Sequence, residues 1–414
     1  MTLSFRRLVL PLPALLGAML SPAAAQSYEV LTARLSDHPS LTAIRLEAGA
    51  QADRARAAGA LPDPDVTLGV ANLPVADPAF DRFLPTHKAI GVRQALPDAL
   101  TRRARTAQAL AEASTLQARL DAETARLTAN LIALLAEREA LAARGHALAQ
   151  QDEAYADLTE AVEAEIAGGG AVAFRLGAVD AERAALARAQ AAVRAETVRV
   201  ETALIDLVGL VPEGTAVPIV PVPAWSGDAA AFYDVALAAR GIERAEAGVD
   251  LARGTYRPDW GIGVTYQQRE ASGDDVAMAF AGDDWITAQV TFSMPLYAGR
   301  SQAPRLRAAR AEKAAAEARL QAAARTARAR FETLVAEARA AEASSDAIAA
   351  QITALGERIR ASRTAYEAGY GDYSAVLDGE VARLGLEAAL ATEQARRTAA
   401  AARARSLLAP EGDR

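Results

Sequence analysis

The chain has 414 residues, a formal net charge of −7, 5% aromatic residues and no cysteine. The lack of cysteine excludes disulfides and thiolate metal ligands, and arginines interleaved with glutamates indicate solvated helix faces rather than a nucleic-acid-binding surface. An Ala-, Glu-, Arg- and Leu-rich composition with heptad periodicity predicts elongated helices instead of two or three compact domains.

Residues 1–25 have the pattern of a secretory signal peptide. A pair of arginines precedes an apolar run over residues 8–19, and three alanines end at Ala25. The apolar run is too short to span a bilayer, and a retained signal anchor is the alternative interpretation. We therefore expect signal cleavage between Ala25 and Gln26 and export of the mature chain.

Residues 26–210 are predicted to form a first repeat that consists of a helix, a β-hairpin, a long helix and a returning helix. Two runs with period-two alternation place the hairpin at about 64–97, and Pro97 ends the second run. The long helix is expected over 98–166 and the returning helix over 174–208, because a glycine triplet between them breaks the helical pattern.

The long helix carries an apolar residue at every seventh position. A seven-residue repeat keeps one seam facing a partner helix, which predicts coiled-coil-like packing. At 1.5 Å per residue such a helix would extend roughly 100 Å, far beyond any compact domain. The seam positions are Leu120, Leu127, Leu134, Leu141, Leu148, Tyr155 and Val162.

A crossover with several prolines, residues 211–227, leads into a second repeat over residues 228–408, which a short tail over 409–414 follows. Roughly 198 residues separate Pro97 from Pro295, and self-similarity at a fixed spacing is typical of a duplicated unit. The elements of the second repeat are a helix, a hairpin at about 257–295, a long helix over 299–366 and a returning helix over 374–408.

The strands have lengths and patterns that suit a membrane. In the second hairpin, Trp260, Ile262 and Val264 alternate with small or polar residues, and each strand has roughly nine to eleven residues. A soluble sheet is the alternative. Because a bilayer tolerates no open sheet edge and four strands are too few for a barrel, we expect a homotrimer with twelve strands. The aromatic residues expected at the lipid headgroups are Tyr256, Trp260, Tyr266 and Trp285.

Several motifs, in chain order, resemble those of the TolC family of trimeric outer membrane efflux proteins, and the resemblance covers essentially the whole mature chain. The most specific motif spans residues 366–378 and is similar to the Y-x-x-G-x-x-x-x-x-V-L-D signature of the helical tip. The other motifs are His38-Pro39-Ser40-Leu41, Pro64-Asp65-Val66, Gln94 with Pro97 and Arg102-Arg103, Pro258-Asp259-Trp260, and Pro295-Leu296-Tyr297-Ala298-Gly299-Arg300.

The resemblance implies a mainly α fold with a β-barrel part, in which a trimeric α-barrel continues a shared 12-stranded outer membrane β-barrel. It implies an outer membrane location with a long periplasmic extension. The expected partners are a periplasmic adaptor (membrane fusion) protein and an inner-membrane pump, of the RND type. The implied function is passive conduction from periplasm to exterior, with no catalysis and no cofactor.

Family members constrict the periplasmic end with acidic side chains near the helical tip. The matched position is Asp378, and its repeat mate Asp180 is a second candidate, whereas Ala375 replaces a carboxylate found in some members. An ordinary solvated carboxylate is the alternative interpretation for both aspartates. The tips implied to dock the adaptor comprise Gly168, Gly169, Gly369, Tyr370, Gly371 and Asp372.

The substrate stays open between metal ions and small toxic compounds. Residues 73–94 look most like the heavy-metal branch of the family, in which methionines often occupy this loop, although this chain has no methionine there and only His87. Neither it nor His38 or His146 has a neighbour at metal-ligand spacing, so no metal site is predicted. Two alternative functions are the exit duct of a type I secretion system and a periplasmic coiled-coil scaffold without a membrane span.

Overall fold

The computed structural model describes residues 27–81, 85–168, 173–270, 283–370 and 373–410. Predictions at Ala25, Gln26, Gly169, Gly371 and Asp372 lie outside these residues. The helices are α1 (Tyr28–Ser36), α2 (Pro39–Ala58), α3 (Ala99–Ala167), α4 (Ala173–Val208), α5 (Tyr233–Gly254), α6 (Gln302–Glu367) and α7 (Tyr373–Arg405). The strands are β1 (Asp65–Ala71), β2 (His87–Leu96), β3 (Trp260–Gln268) and β4 (Trp285–Phe292).

Polar side chains cap the helices where the sequence changes from extended to helical. His38 Nδ1 accepts a hydrogen bond from the Ser40 backbone N–H at 3.2 Å, and Pro39 fits the first turn of α2 because that turn needs no N–H there. Asp98 follows Pro97 and accepts from the Leu100 N–H at 2.8 Å. The start of the first long helix is therefore fixed by a proline stop and an aspartate cap.

The heptad seam of α3 is buried as its spacing predicts. This helix has 69 residues, which corresponds to about 100 Å. Leu127, Leu134, Leu141 and Val162 are buried, and the remaining seam residues are half-buried. Each fully buried leucine or valine side chain contributes roughly 1.5–3 kcal/mol relative to an exposed one.

One segment differs from the predicted helix over residues 228–254. A short 3₁₀ turn, Ala229–Ala231, is separated from α5 by Phe232, whose backbone is extended at φ −85° and ψ 134°. The Phe232 ring is fully buried and packs edge-on against Phe331 of α6 with ring centroids 5.7 Å apart. Burying this large ring favours a break in the helix over its continuation.

The helices form a layer in which α3 is central. It packs against α2, α4, α5 and α7, whereas α6 packs against α5 and α7. The main apolar cluster joins α3 to α1 and α4 through Leu31, Leu131 and Leu204. Helices α4 and α6 therefore lie at opposite edges of the layer.

The crossover between the two repeats contacts long helices of both repeats. Arg138 of α3 donates to the carbonyl oxygen of Pro212, and Arg397 of α7 donates to that of Val220 at 3.1 Å. Val220 also packs against Ala338 of α6. Pro212 and Val220 lie outside regular structure, and the carbonyl oxygen of each thus accepts a hydrogen bond from an arginine of a different helix.

The four strands form one antiparallel sheet in the order β1–β2–β3–β4. The pairing of β2 with β3 joins the two hairpins, with Val92 opposite Val264 and Ile90 opposite Tyr266. Within the described residues, β1 and β4 each have one neighbouring strand, so both outer edges of the sheet are unpaired. Among the helices of the described ranges, none is long and apolar enough to cross a membrane.

Candidate functional site

One face of the sheet is a continuous apolar surface. The register places apolar side chains from all four strands in rows, and they remain 41–75% exposed. Monomeric soluble proteins rarely expose a contiguous apolar patch of this kind. The residues of this apolar face are Val66, Leu68, Val70, Ile90, Val92, Trp260, Ile262, Val264, Tyr266, Ile286, Val290 and Phe292.

The opposite, polar face forms a shallow sheet trough of about 260 Å³. Small residues make its floor, and a Cβ on Gly91 would lie only 2.9 Å from Thr265 Oγ1 on the neighbouring strand. Thr291 and Arg93 contribute polar atoms to the lining. Alternation with period two thus separates a surface suited to lipid from one suited to water, as expected from the sequence.

Trp285 lies on the polar face rather than with the other aromatic residues of the strand ends. It pairs with Gln267 in the register, one position away from Ile286 on the apolar face. The guanidinium of Arg269 stacks on its indole, with Cζ 3.4 Å from the ring centroid. The expectation that Trp285 shares the headgroup surface with Tyr266 is therefore wrong, because strand alternation turns its side chain to the other face.

A second concave surface, the helix groove, has a volume of about 1130 Å³ and lies between α3, α4, α6 and α7. Its four carboxylates and four guanidiniums balance in charge, and Arg199 pairs with both Glu137 and Glu196. The charged lining consists of Glu137, Arg144, Glu196, Arg199, Glu337, Glu393, Arg396 and Arg403.

The helix groove and the crossover contact different faces of α7. Arg396 and Arg403 face the groove, whereas Arg397 and Ala401 contact the crossover. A step of one residue rotates a helix by about 100°, so these two sets define different faces. The two faces adjoin at Ala400, which lines the groove and belongs to the apolar cluster that packs against Val220.

Near the turn that joins α6 to α7, Asp378 lies beside α3. Its side chain is exposed, and its negative charge helps to raise the pKa of the Tyr155 phenol, after the larger effects of burial and of Glu182. One turn away, Gln151 Nε2 donates to the Val381 carbonyl at 3.1 Å. The structure thus brings Asp378 to the contact between α3 and α7.

Asp180 is placed elsewhere, on the exposed surface of α4. Its neighbour Val179 is buried, and the α3–α4 pair is linked nearby by Arg183 and Asp152 at 3.6 Å. Asp180 and Asp378 thus lie on different helices, α4 and α7, and both helices pack against α3.

The helices on either side of the turn between α6 and α7 are linked to each other. Gly369 has φ +79°, a left-handed conformation that favours glycine, and Tyr370 beside it is 90% exposed. Arg363 pairs with Glu380 across the two helices at 3.2 Å. The exposed Tyr370 thus lies next to a pair of helices that an ion pair links. The corresponding turn of the first repeat begins at Gly168.

Two of the three histidines make local contacts in the structure. His38 caps α2, His87 Nδ1 is 2.9 Å from the Pro85 carbonyl oxygen, and His146 is exposed on α3. No group of three or more His, Asp or Glu side chains in the described part of the chain could hold a metal ion.

Sequence reasoning missed four residues at these surfaces. Tyr155 is predicted only as a seam residue of α3 and Glu182 carries no prediction, because no local pattern relates either residue to Asp378. Arg93 and Arg269 share the polar face, which the strand alternation alone could have shown.

Comparisons with known proteins agree with this architecture. The family model for outer membrane efflux proteins matches residues 233–410, which run from α5 to beyond the end of α7. A comparison with curated protein sequences gives no match.

Solved structures of outer membrane channels share the fold over nearly the whole chain. CusC superposes with a TM-score of 0.76 at 12% identity, and the match covers 92% of each chain. VceC from Vibrio cholerae gives 0.72 at 17% identity, covering 92% of this chain and 95% of VceC. The open state of MtrE from Neisseria gonorrhoeae gives 0.73 at 16% identity, covering 92% of this chain and 88% of MtrE.

The fold is therefore that of outer membrane channel proteins, a class in which long helices adjoin a small sheet. The resemblance to outer membrane efflux proteins is confirmed over residues 233–410, where the family model matches, and the solved structures show the shared fold.

Proposed function

We propose that the chain is one protomer of a homotrimeric exit duct in the outer membrane, the last component of a tripartite efflux system. The observation that carries this proposal is the exposed apolar face of the sheet, in register across four strands and backed by a polar trough. In this arrangement the apolar face contacts lipid, and the polar face lines a water-filled lumen.

The unpaired edges support assembly from three copies. Strands β1 and β4 each leave one row of backbone donors and acceptors without a strand partner in the described residues. In lipid such an edge is costly, and pairing β1 of one copy with β4 of the next satisfies it. Three copies supply the twelve strands of a shared barrel, below which the edge helices α4 and α6 meet to close an α-barrel.

The interior of the duct follows from the same arrangement. The helix groove and the crossover contact different faces of α7, and we place the groove on the lumen, with the crossover outside. Asp378 then lies near the narrow periplasmic end, where three copies concentrate negative charge, and Asp180 is the second candidate for this constriction. Residues 1–25 direct export and are removed by cleavage between Ala25 and Gln26.

The helical tips are the proposed docking sites for a periplasmic adaptor (membrane fusion) protein, which connects the duct to an inner-membrane pump of the RND type. Tyr370 is exposed enough to contact a partner directly. The docking set comprises Gly168, Gly169, Gly369, Tyr370, Gly371 and Asp372. The proposed substrates are metal ions or small toxic compounds, with heavy-metal resistance as the favoured role.

The experiment that tests this function combines membrane fractionation with single-channel recording. The full chain, expressed in a Gram-negative host, is expected in the outer membrane fraction, and the detergent-purified protein should form channels in planar bilayers. A protein that stays soluble in the periplasm and forms no channels would support the scaffold alternative instead. Loss of tolerance to metals in a deletion strain, with unchanged protein secretion, would favour efflux over type I secretion.

A further inference from the structure

Helices α3 and α6 carry the same row of residues at positions that are 200 apart in the sequence. The row recurs at steps of three or four residues, which keeps it on one face of each helix. Six positions are identical in the two helices, and Thr333 replaces Ala133 at a seventh. The row of α3 contains Ala129, Ala136, Ala140, Ala143, Ala147 and Gln151, and the row of α6 contains Ala329, Ala336, Ala340, Ala343, Ala347 and Gln351.

Within one chain, α7 covers the row of α3. Ala129 belongs to an apolar cluster with Ala402 of α7, and Gln151 Nε2 donates to the Val381 carbonyl at 3.1 Å. These two contacts lie at the two ends of the row, so α7 runs antiparallel to α3 along it. The alanines between them are buried, except for the half-buried Ala143. The row of α3 is therefore the surface that receives a second helix.

The row of α6 is exposed along its whole length, although none of its residues is charged. Helix α7 packs on the other side of α6, at Ala338, which is two residues from Ala336 and thus about 200° around the helix. Charged side chains occupy positions between the members of the row, such as Arg339 and Glu342. Because a solvated helix face carries polar and charged residues, an uncharged exposed face indicates a partner helix.

The shift of 200 positions also relates the cores of the two repeats. Leu131 of α3 is buried against Leu204 of α4, and Phe331 of α6 is buried in one cluster with Ala404 of α7. The positions of α4 and α7 therefore correspond with the same shift as those of α3 and α6. A contact between α3 and α7 can thus be transferred to α6 and the α4 helix of another copy.

This transfer places Gln351 opposite Ala181, in the way that Gln151 lies opposite Val381. At that place α4 has an exposed row of small or apolar residues, again at steps of three or four. The side of α4 that packs against α3 is different and contains the buried Val193. The exposed row of α4 contains Ala181, Ala184, Ala191, Ala195, Val198 and Thr202, with Arg188 as its single charged member.

We propose that α4 of a second copy packs along the row of α6, in the way that α7 packs along the row of α3 within one chain. Gln351 Nε2 then donates to the Ala181 carbonyl of that copy, and Ala336 lies opposite Ala195. The inference rests on the proposed function, because closing a ring of three copies brings the two edges of the helical layer together. It assigns the residues and the register of that contact.

The two rows fit each other in size and polarity. Val198 is 62% exposed in a single chain, and in this register it is buried against Thr333. Arg188 faces Ala343, where its aliphatic stem covers the alanine while the guanidinium stays in water. The alanines of α6 let the backbones of the two helices approach each other closely.

Cysteine pairs across the two helices test this register in oxidised outer membranes. Ala336→Cys combined with Ala195→Cys should give covalent trimers, because the two positions face each other. The matched control combines Ala336→Cys with Ala184→Cys, which is about 16 Å further along α4 and exceeds the ~7 Å limit for a disulfide. No cross-link in the first pair, or equal cross-linking in both pairs, would overturn the inference.

Substitutions in the row of α6 give a second test. Ala343→Trp should reduce the yield of trimers, because the ring does not fit between closely packed helices. Arg339→Trp puts the same ring at an exposed position outside the row and should leave the yield unchanged. Gln351→Met removes the donor and should lower the temperature at which the detergent-purified trimer dissociates, whereas Gln321→Met, outside the row, should not.

The results separate this inference from the proposed function. Channels in planar bilayers from a protein that gives no Ala336–Ala195 cross-link, and that tolerates Ala343→Trp, would contradict the inference and leave the duct intact. Failure of the unaltered protein to form any channel would instead contradict the proposed function, and the inference with it.

Discussion

Asp378 on α7 lies close enough to Tyr155 on α3 for its carboxylate to raise the pKa of the phenol. The hydrogen bond from Gln151 to Val381 ties the same two helices at 3.1 Å. The helix pair α6–α7 is thus anchored to the pair α3–α4 near the turn between α6 and α7, while α4 and α6 remain at the edges of the layer. Any movement that separates α3 from α7 near this point has to strain this contact.

The carboxylate of Asp378 is predicted to control cation block of the channel. Asp378→Ala should leave trimer assembly intact, raise basal conductance and weaken block by trivalent cations, because three like charges are lost from a narrow end. The same substitution at Asp53, which pairs with Arg56 on exposed α2, is the control. If Asp378→Ala and Asp180→Ala, singly and together, change neither conductance nor block, the proposed acidic constriction does not exist.

Alkaline pH should act through Tyr155. Its raised folded-state pKa means that its contribution to stability is full below the unfolded value, about 10, and is lost as the pH rises through the folded value. Tyr155→Phe should therefore move the alkaline unfolding midpoint to higher pH.

The same pair of residues gives a direct spectroscopic check. Asp378→Asn should lower the pKa of Tyr155, because it removes a negative charge that disfavours the phenolate. Ultraviolet difference titrations with and without Tyr155→Phe isolate this tyrosine from the others. Identical Tyr155 titrations in the two Asp378 backgrounds would show that the side chains do not interact.

The close approach of α6 and α7 should make Gly379 intolerant of a side chain. A Cβ there would lie 2.6 Å from Ile359 Cγ1, so Gly379→Ala should cost about 1–3 kcal/mol through overpacking. Gly356 on α6 has open space around its Cβ position, and Gly356→Ala should instead stabilise by up to about 1 kcal/mol. Denaturant unfolding of the two variants measures the difference, and equal stabilities would contradict this packing.

The two faces of the sheet should respond oppositely to charge. Val264→Arg puts a guanidinium on the apolar face and should cost about 2–4 kcal/mol if the residue lies near the bilayer midplane. Thr265→Arg points into the sheet trough and should be nearly neutral for assembly. The yield of folded protein in the outer membrane measures both. Equal yields would show that the strand is misassigned, and a lower yield for Thr265→Arg would show that the faces are reversed.

Periodic features of the sequence predict much of this fold. The heptad of α3 correctly gave the buried seam from Leu127 to Val162, and proline and aspartate marked the start of the helix. Alternation in β3 correctly separated Val264 from Thr265. These features are local, because a helix or strand repeats its own pattern along the chain.

Other features depend on contacts between distant residues and have no local signal. The break at Phe232 exists because its ring fills a cluster with Phe331, nearly one hundred positions away. The neighbourhood of Asp378 depends on how α7 packs against α3, which the repeat relation to Asp180 does not reveal. Internal symmetry of the sequence relates positions, but packing decides which positions meet.

Cysteine cross-linking between copies tests the central claim most directly, because the chain has no cysteine of its own. Within one sheet, β1 and β4 are about 14 Å apart, three strand spacings, which exceeds the ~7 Å limit for a disulfide. Thr67→Cys on β1 is combined in turn with Thr287→Cys, Gln289→Cys or Thr291→Cys on β4, and outer membranes are oxidised. We predict that at least one pair gives a ladder of bands that ends at a covalent trimer. A ladder that stops at a dimer or continues past three copies, or no cross-link in any pair, would contradict the trimeric duct.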